Sequence, residues 1–264
     1  MSDAELLESI TEIARQAGQV ILQVYATDFA VRGKTDASPV TEADERAEAV
    51  ILQALARLTP DIPVVAEESV AAGRVPDIGS ADGRFWLVDP LDGTKEFISR
   101  NGEFTVNIAL IEDGAPVLGV VLAPAQGRLF AGCRSTGAFL ADASGRRAIH
   151  CRAVPEIGLT VVASRSHGDA AALDALLQGR KVARLASAGS SLKLCLVAAG
   201  EADLYPRLGR TMEWDIAAGH AVLTAAGGSV RRLDDGQPLR YGKPGFDNPH
   251  FIAAGLPSSA NAMP

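Results

Sequence analysis

Apolar residues recur at helical spacing from the start of the chain. Leu6, Ile10, Ile13, Ala17, Val20, Ile21 and Val24 fall on one face of residues 5–25, which predicts an amphipathic first helix. A second helix is predicted from Thr41-x-x-Asp44, a capping-box pattern that sets Asp44 in a first turn, through about Leu58. IPVVAEE and RFWLVDP then read as short buried strands, one ending in Glu67 and Glu68 and the other at Asp89, so that two strands deliver acids at one end. FTVNIALIEDG, APVLGVVLAP, RLFAGC and GAFLAD follow with Gly or Pro turns between them, the pattern of an antiparallel meander continuing one sheet.

Beyond Pro155 the rhythm changes. LTVVAS reads as a strand, DAAALDALLQ as a helix, VARLAS as a strand and SSLKLCLVAAG as a helix closed by Gly200. ADLYPRL is a further strand, WDIAAGHAVLTAAGG a helix with a glycine stop, and SVRRL a last strand before a polar tail that ends in a disordered NAMP. The expected fold class is therefore α/β (α+β), a sandwich of layered helices and mixed sheets. Its N-terminal subdomain, 1–154, carries most of the acids, and its C-terminal subdomain, 155–264, is the alternating part.

A chain of 264 residues with 47% hydrophobic and 22% charged positions fits a compact enzyme-sized globule and excludes disorder. The acidic, amphipathic start MSDAELLESI is not a signal pattern, and no apolar run approaches the roughly 20 residues of a spanning helix, which points to the cytoplasm. Cys133, Cys151 and Cys195 are odd in number and lack CxxC spacing, so they read as buried thiols rather than a disulfide framework or a zinc site. The net charge of -7 argues against general affinity for nucleic acid or anionic membrane; an anionic substrate must be met by local cations.

The chemistry concentrates in WLVDPLDGTKEF, residues 86–97. Oxygen ligands suit a hard divalent cation, and Glu67, Asp89, Asp92 and Asp215 supply carboxylates for one. The bend at Pro90 turns the Leu91 carbonyl toward the same point, and Gly93-Thr94 opens a helix whose first N–H groups suit phosphate. From spacing alone, DPLDG serves equally as a solvated turn. The DxDGT motif of haloacid-dehalogenase-type phosphatases, with its Asp nucleophile, has one residue between the acids; here Pro90 and Leu91 both intervene. Lys193 reads by default as the polar face of a buried helix, Arg207 as a sheet-edge charge and His220 as a hydrogen-bonded core residue.

Taken together, SPVTEAD, AEES, WLVDPLDGTKEF, SLKLCL and WDIAAGHAV resemble the Mg2+-dependent, lithium-sensitive phosphatase superfamily that includes inositol monophosphatase and the bisphosphate nucleotidases. TKEF, NGEFTVNIAL, SRSH, GSSLK and LYPR resemble its bacterial nucleotidase branch. The resemblance implies an αβαβα sandwich and two or three Mg2+ ions held by Glu67, Asp89, the Leu91 carbonyl, Asp92 and Asp215. It further implies that Asp44, Glu67 and Thr94 handle the attacking water, and that Gly93 and Thr94 cradle phosphate. Ser190, Lys193 and Arg207 would hold a nucleotide's second phosphate, with His167 near the base. The implied reaction is hydrolysis of adenosine 3',5'-bisphosphate, a by-product of sulfate activation, to AMP and phosphate. Inositol monophosphatase or fructose-1,6-bisphosphatase-type activity is the same-chemistry alternative, and a non-catalytic metal or nucleotide sensor the different-class one. A homodimer and peripheral association with the inner membrane are within what the resemblance allows. It offers no physical role for Lys95-Glu96.

Overall fold

The computed structural model describes residues 1–33, 39–80, 83–164 and 170–256. Helix α1 (Asp3–Tyr25) opens on a capping box in which Ser2 and Glu5 satisfy each other's backbone N–H, and it buries Leu6, Ile10, Ile13, Ala17, Ile21 and Val24 of the predicted face, with Val20 half-buried at its margin. A short antiparallel pair, β1 (Val31–Gly33) and β2 (Pro39–Thr41), leads into α2 (Glu42–Leu58). Next come β3 (Val64–Ala66), α3 (Glu67–Ala71), β4 (Arg84–Asp92) and α4 (Thr94–Ile98). The meander is β5 (Thr105–Glu112), β6 (Ala115–Ala123), β7 (Arg128–Cys133), β8 (Gly137–Asp142) and β9 (Gly145–Ile149). Strands β3 to β9 form one sheet in chain order, parallel only between β3 and β4.

The second sheet follows the strand-helix alternation. It uses β10 (Leu159–Ser164), α5 (Ala170–Leu177), β11 (Val182–Ala188), α6 (Leu192–Ala198), β12 (Leu204–Arg207), α7 (Glu213–Ala225), β13 (Ser229–Arg232) and β14 (Phe251–Ala254). Its order is β11-β10-β12-β14-β13. SVRRL is thus not the last strand. β14 inserts between β12 and β13, antiparallel to both, and its four residues follow a long irregular polar stretch, so its place is set by distant partners rather than by local pattern. Glu67 likewise does not end a strand but starts α3. β9, four of whose five residues are exposed, and the β1–β2 pair carry too little alternation to have been predicted.

The first sheet is covered on both faces, which explains its continuous apolar runs. On one side Trp86 and Val88 of β4 join Ile108, Leu118 and Val120 against Ile10, Ile21, Ile51 and Leu55 of α1 and α2. On the other side Phe85, Leu87, Ile111, Val121 and Phe130 meet Leu194 and Val197 of α6, Trp214 and Val222 of α7, and Val162, Tyr205 and Phe251 of the second sheet. The layers run α1/α2, first sheet, α6/α7, second sheet, with α5 as the crossover between the parallel strands β10 and β11. Helix α7 lies unusually close to the first sheet because Gly119 and Gly132 leave room for it: a Cβ at either would sit 2.7 Å from the α7 backbone, at Ala218 O and Val222 Cα respectively.

Candidate functional site

Strand β4 carries the first two acids on one face through a break in register. Asp89 pairs with Asn107 and Asp92 with Thr105, so three steps along β4 oppose two along β5. In regular pleating residues three apart point to opposite faces; one extra residue restores the parity and turns both carboxylates the same way. Pro90, which has no N–H to give a ladder, occupies the bulge. Asp89 is buried and its Oδ1 accepts the Leu91 N–H at 3.0 Å, which fixes the turn. Gly93 then takes φ +91°, a left-handed conformation that favours glycine, and Thr94 begins α4.

Asp44 reaches the same place from α2. Thr41 N and Thr41 Oγ1 both donate to its Oδ2 at 2.8 Å, a buried capping box, while the Thr94 hydroxyl donates to its Oδ1 at 3.3 Å and lies 3.5 Å from the Leu91 carbonyl oxygen. Glu67 is placed by a residue the sequence pattern does not mark. Ala66 gives α3 no side-chain cap, and buried Glu48 of α2 substitutes for it, accepting from Glu68 N at 2.8 Å and Ser69 Oγ at 2.6 Å. Asp215 arrives on α7, three residues after its N-cap, with its Oδ2 accepting from Met212 N at 2.9 Å.

Glu67, Asp92, Gly93, Thr94 and Asp215 line a cavity of about 270 Å3 together with Lys95, Glu96, Ser190, Lys193, Tyr205, Arg207 and Arg210. Burial pushes the Asp92 carboxyl up to about 6, against the pull of Lys193 and the Ser191 N–H, with Glu67 pushing the same way as burial. Asp215 is raised well above the ordinary carboxylate range by burial and by the charges of Asp92 and Glu67. Like charges held together in this way favour a cation among them. Among the described residues, no three Asp, Glu, His or Cys side chains form a ready-made metal cage. Mg2+ does not require one, since it keeps several waters and takes one or two carboxylates plus substrate oxygens; the all-oxygen donor set fits that ion.

The cationic side chains are also built in. Lys193 is only 4% exposed; its Nζ donates to the carbonyls of Ser190 at 2.5 Å and Ala188 at 3.2 Å and lies 5.3 Å from the Tyr205 ring centre. Burial lowers its pKa to about 8, the neighbouring Asp92 working the other way. Arg207 is not an edge charge. β12 lies between β10 and β14, and Arg207, 8% exposed, bonds the carbonyls of Gly209 at 3.1 Å and Arg210 at 2.7 Å. β12 pairs with β10 only at Leu204, so Pro206 costs no ladder bond there and the strand end opens onto the cavity. Ser190 holds φ +46° and its buried Oγ has no hydrogen-bond partner among the described residues. Of the sequence candidates only His167 lies outside the described residues. His220 is a core residue as expected, its Nδ1 2.8 Å from the Tyr241 hydroxyl.

Sequence reasoning missed Ser191, Asn107 and Arg210. Ser191 N donates to Asp92 Oδ2 at 2.6 Å, and Asn107 Nδ2 lies 3.4 Å from the same oxygen. Arg210, paired with Asp247 at 2.7 Å, stands at the mouth. The signal for Asn107 was its position in the strand beside Asp89; for Arg210 there was none beyond its charge.

Comparison with known proteins agrees with this architecture. A curated relative from Escherichia coli O157:H7, called 3'(2'),5'-bisphosphate nucleotidase CysQ, is 49% identical over 250 residues, 93% of this chain and 98% of that one. The crystal structure of CysQ from Bacteroides thetaiotaomicron, a bacterial member of the inositol monophosphatase family, superposes with a TM-score of 0.78 at 37% identity, covering 94% of this chain and 97% of that one. An inositol monophosphatase from Zymomonas mobilis gives a TM-score of 0.77 at 26% identity, over 97% and 94% of the two chains. The inositol monophosphatase family pattern itself matches residues 2–260, and the chain belongs to that family.

Proposed function

We propose that the protein is a Mg2+-dependent phosphomonoesterase that hydrolyses adenosine 3',5'-bisphosphate to AMP and phosphate. The observation that carries this reading is one cavity lined both by the carboxylates of Glu67, Asp92 and Asp215 and by Lys193, Arg207 and Arg210. A substrate with two phosphates meets both kinds of group, the scissile phosphate at the acids through cations and the other at the basic side chains. Relatives named as bisphosphate nucleotidases support the choice of substrate.

Glu67, Asp89, the Leu91 carbonyl, Asp92 and Asp215 would hold two or three Mg2+ ions, which when bound supply positive charge for the phosphoryl group and acidify a water near them. Thr94, its hydroxyl directed by Asp44, orients the attacking water together with Glu67. Gly93 and Thr94 cradle the phosphoryl oxygens at the floor of the cavity. Water attacks phosphorus in line, the bond from phosphorus to the ribose 3' oxygen breaks, and that oxygen leaves as a hydroxyl. Ser190, whose hydroxyl lacks a partner among the described residues, joins Lys193 and Arg207 at the second phosphate, and His167 is assigned to the base. No helix among the described residues is long and apolar enough to cross a membrane, and the cytoplasm is the proposed location.

The test is phosphate release from adenosine 3',5'-bisphosphate, inositol 1-phosphate and fructose 1,6-bisphosphate across a Mg2+ titration. The nucleotide is expected to have the highest kcat/KM, and chelation to abolish turnover until Mg2+ is restored. Clear preference for either sugar ester would overturn the substrate, and no turnover of any of them would favour the sensor reading.

A further inference from the structure

Asp92 on β4 and Asp215 on α7 come from segments far apart in the chain, repel each other, and still face one cavity. Something must hold them at that spacing. The geometry points to Ser191 as a positioning residue that, with Asn107, ties Asp92 on β4 to the first turn of α7 and so sets the distance between the two carboxylates. The inference rests on the proposed cation site and concerns how the chain builds it.

The tie is continuous. Asn107 Nδ2 has two hydrogens, one directed at Asp92 Oδ2 (3.4 Å) and one at Ser191 Oγ (3.2 Å). The Asp92 carboxylate dictates that amide orientation, since the reverse would place two oxygens together. Ser191 uses both of its donors: its N–H goes to Asp92 Oδ2 at 2.6 Å and its hydroxyl to the main-chain carbonyl of Asp215. Asn107 is fully buried and Ser191 is 2% exposed, so water does not compete for these bonds. The left-handed turn at Ser190 aims the Ser191 N–H, and Lys193 fixes that turn by donating to the carbonyls on either side of Gly189. Ser190 and Ser191, both at the cavity, are thereby assigned different duties: the Ser190 hydroxyl has no hydrogen-bond partner among the described residues, while the Ser191 hydroxyl fastens the scaffold.

Ser191→Ala keeps the N–H on Asp92 and cuts the link to α7; Asn107→Ala leaves that link in place and removes the amide that braces Asp92 and Ser191 from β5. The readout is Mn2+ affinity of the substrate-free protein, followed by the loss of the free-ion EPR signal, with a cooperative thermal transition as the check on folding. Each variant is expected to bind Mn2+ about 10-fold more weakly, the lower end of what removing a residue that orients metal ligands produces. In Ser191→Ala, kcat measured at saturating Mg2+ is expected to recover most of the loss seen at limiting Mg2+. Wild-type Mn2+ affinity in cooperatively folded Ser191→Ala would overturn the assignment, and in Asn107→Ala the part of it given to Asn107, while leaving the cation site standing. Absence of Mn2+ binding to the wild-type protein would remove the cation site and the assignment with it.

Discussion

Burial and the nearby Glu67 hold the Asp92 carboxyl up at about 6, above its value in an unfolded chain, so ionising it opposes folding. That contribution is absent below the unfolded carboxylate range and fully present above pH 6. Asp92→Asn is therefore expected to raise the thermal midpoint of the metal-free protein at pH 7.5, by about 2–4 °C if roughly 1 kcal/mol is recovered, while lowering phosphate release at least about 1000-fold. Differential scanning calorimetry with chelator and a phosphate assay read the two effects. His220 has the opposite pH sense. Its buried ring is held neutral, with a pKa lowered to about 3, so the unfolded state takes up a proton that the folded state refuses as pH falls below about 6.5. Denaturant unfolding between pH 6.5 and 4.5 is expected to show wild type losing up to about 1.4 kcal/mol per pH unit relative to His220→Gln, a comparison in which the aspartates cancel. The acids were legible in the sequence because DPLDG states their chemistry. Ser191 was not, because it stands beside an identical residue and only the φ of Ser190 separates their roles.

Helix α7 is the element on which the site depends most. It carries Asp215 and rests on β6 and β7 where glycine leaves the sheet bare. Gly119→Val would drive a branched side chain into the α7 backbone, and a cost of about 1–3 kcal/mol is expected, read as a lower thermal midpoint. Activity should fall further than stability alone requires, because the displaced helix carries Asp215. The element's existence was plain from WDIAAGHAVLTAAGG, as were α1, α2 and the meander, whose apolar spacing is local. β14 was hidden because its four residues have meaning only beside β12 and β13, and α3 because its cap, Glu48, comes from another helix.

Across the whole molecule, one cluster of buried side chains runs from the first sheet through α6 and α7 to the second. The cavity lies where those parts meet, drawing Glu67 and Asp92 from one side and Lys193, Arg207 and Asp215 from the other. A divalent ion bound there contacts only the folded state, so Mg2+ is expected to raise the thermal midpoint in a concentration-dependent way, following the logarithm of its concentration over Kd. Differential scanning fluorimetry over a Mg2+ series checks this, and a midpoint indifferent to Mg2+ would contradict the cation site.

The bulge in β4 makes length, rather than content, the inherited quantity between Asp89 and Asp92. Leu91 contributes a main-chain carbonyl that any residue would supply, and Pro90 an extra step that changes odd to even. A one-residue deletion there would preserve every acid and yet turn Asp89 to the opposite face. Such a lesion would be silent in a census of ligands and visible only to someone counting.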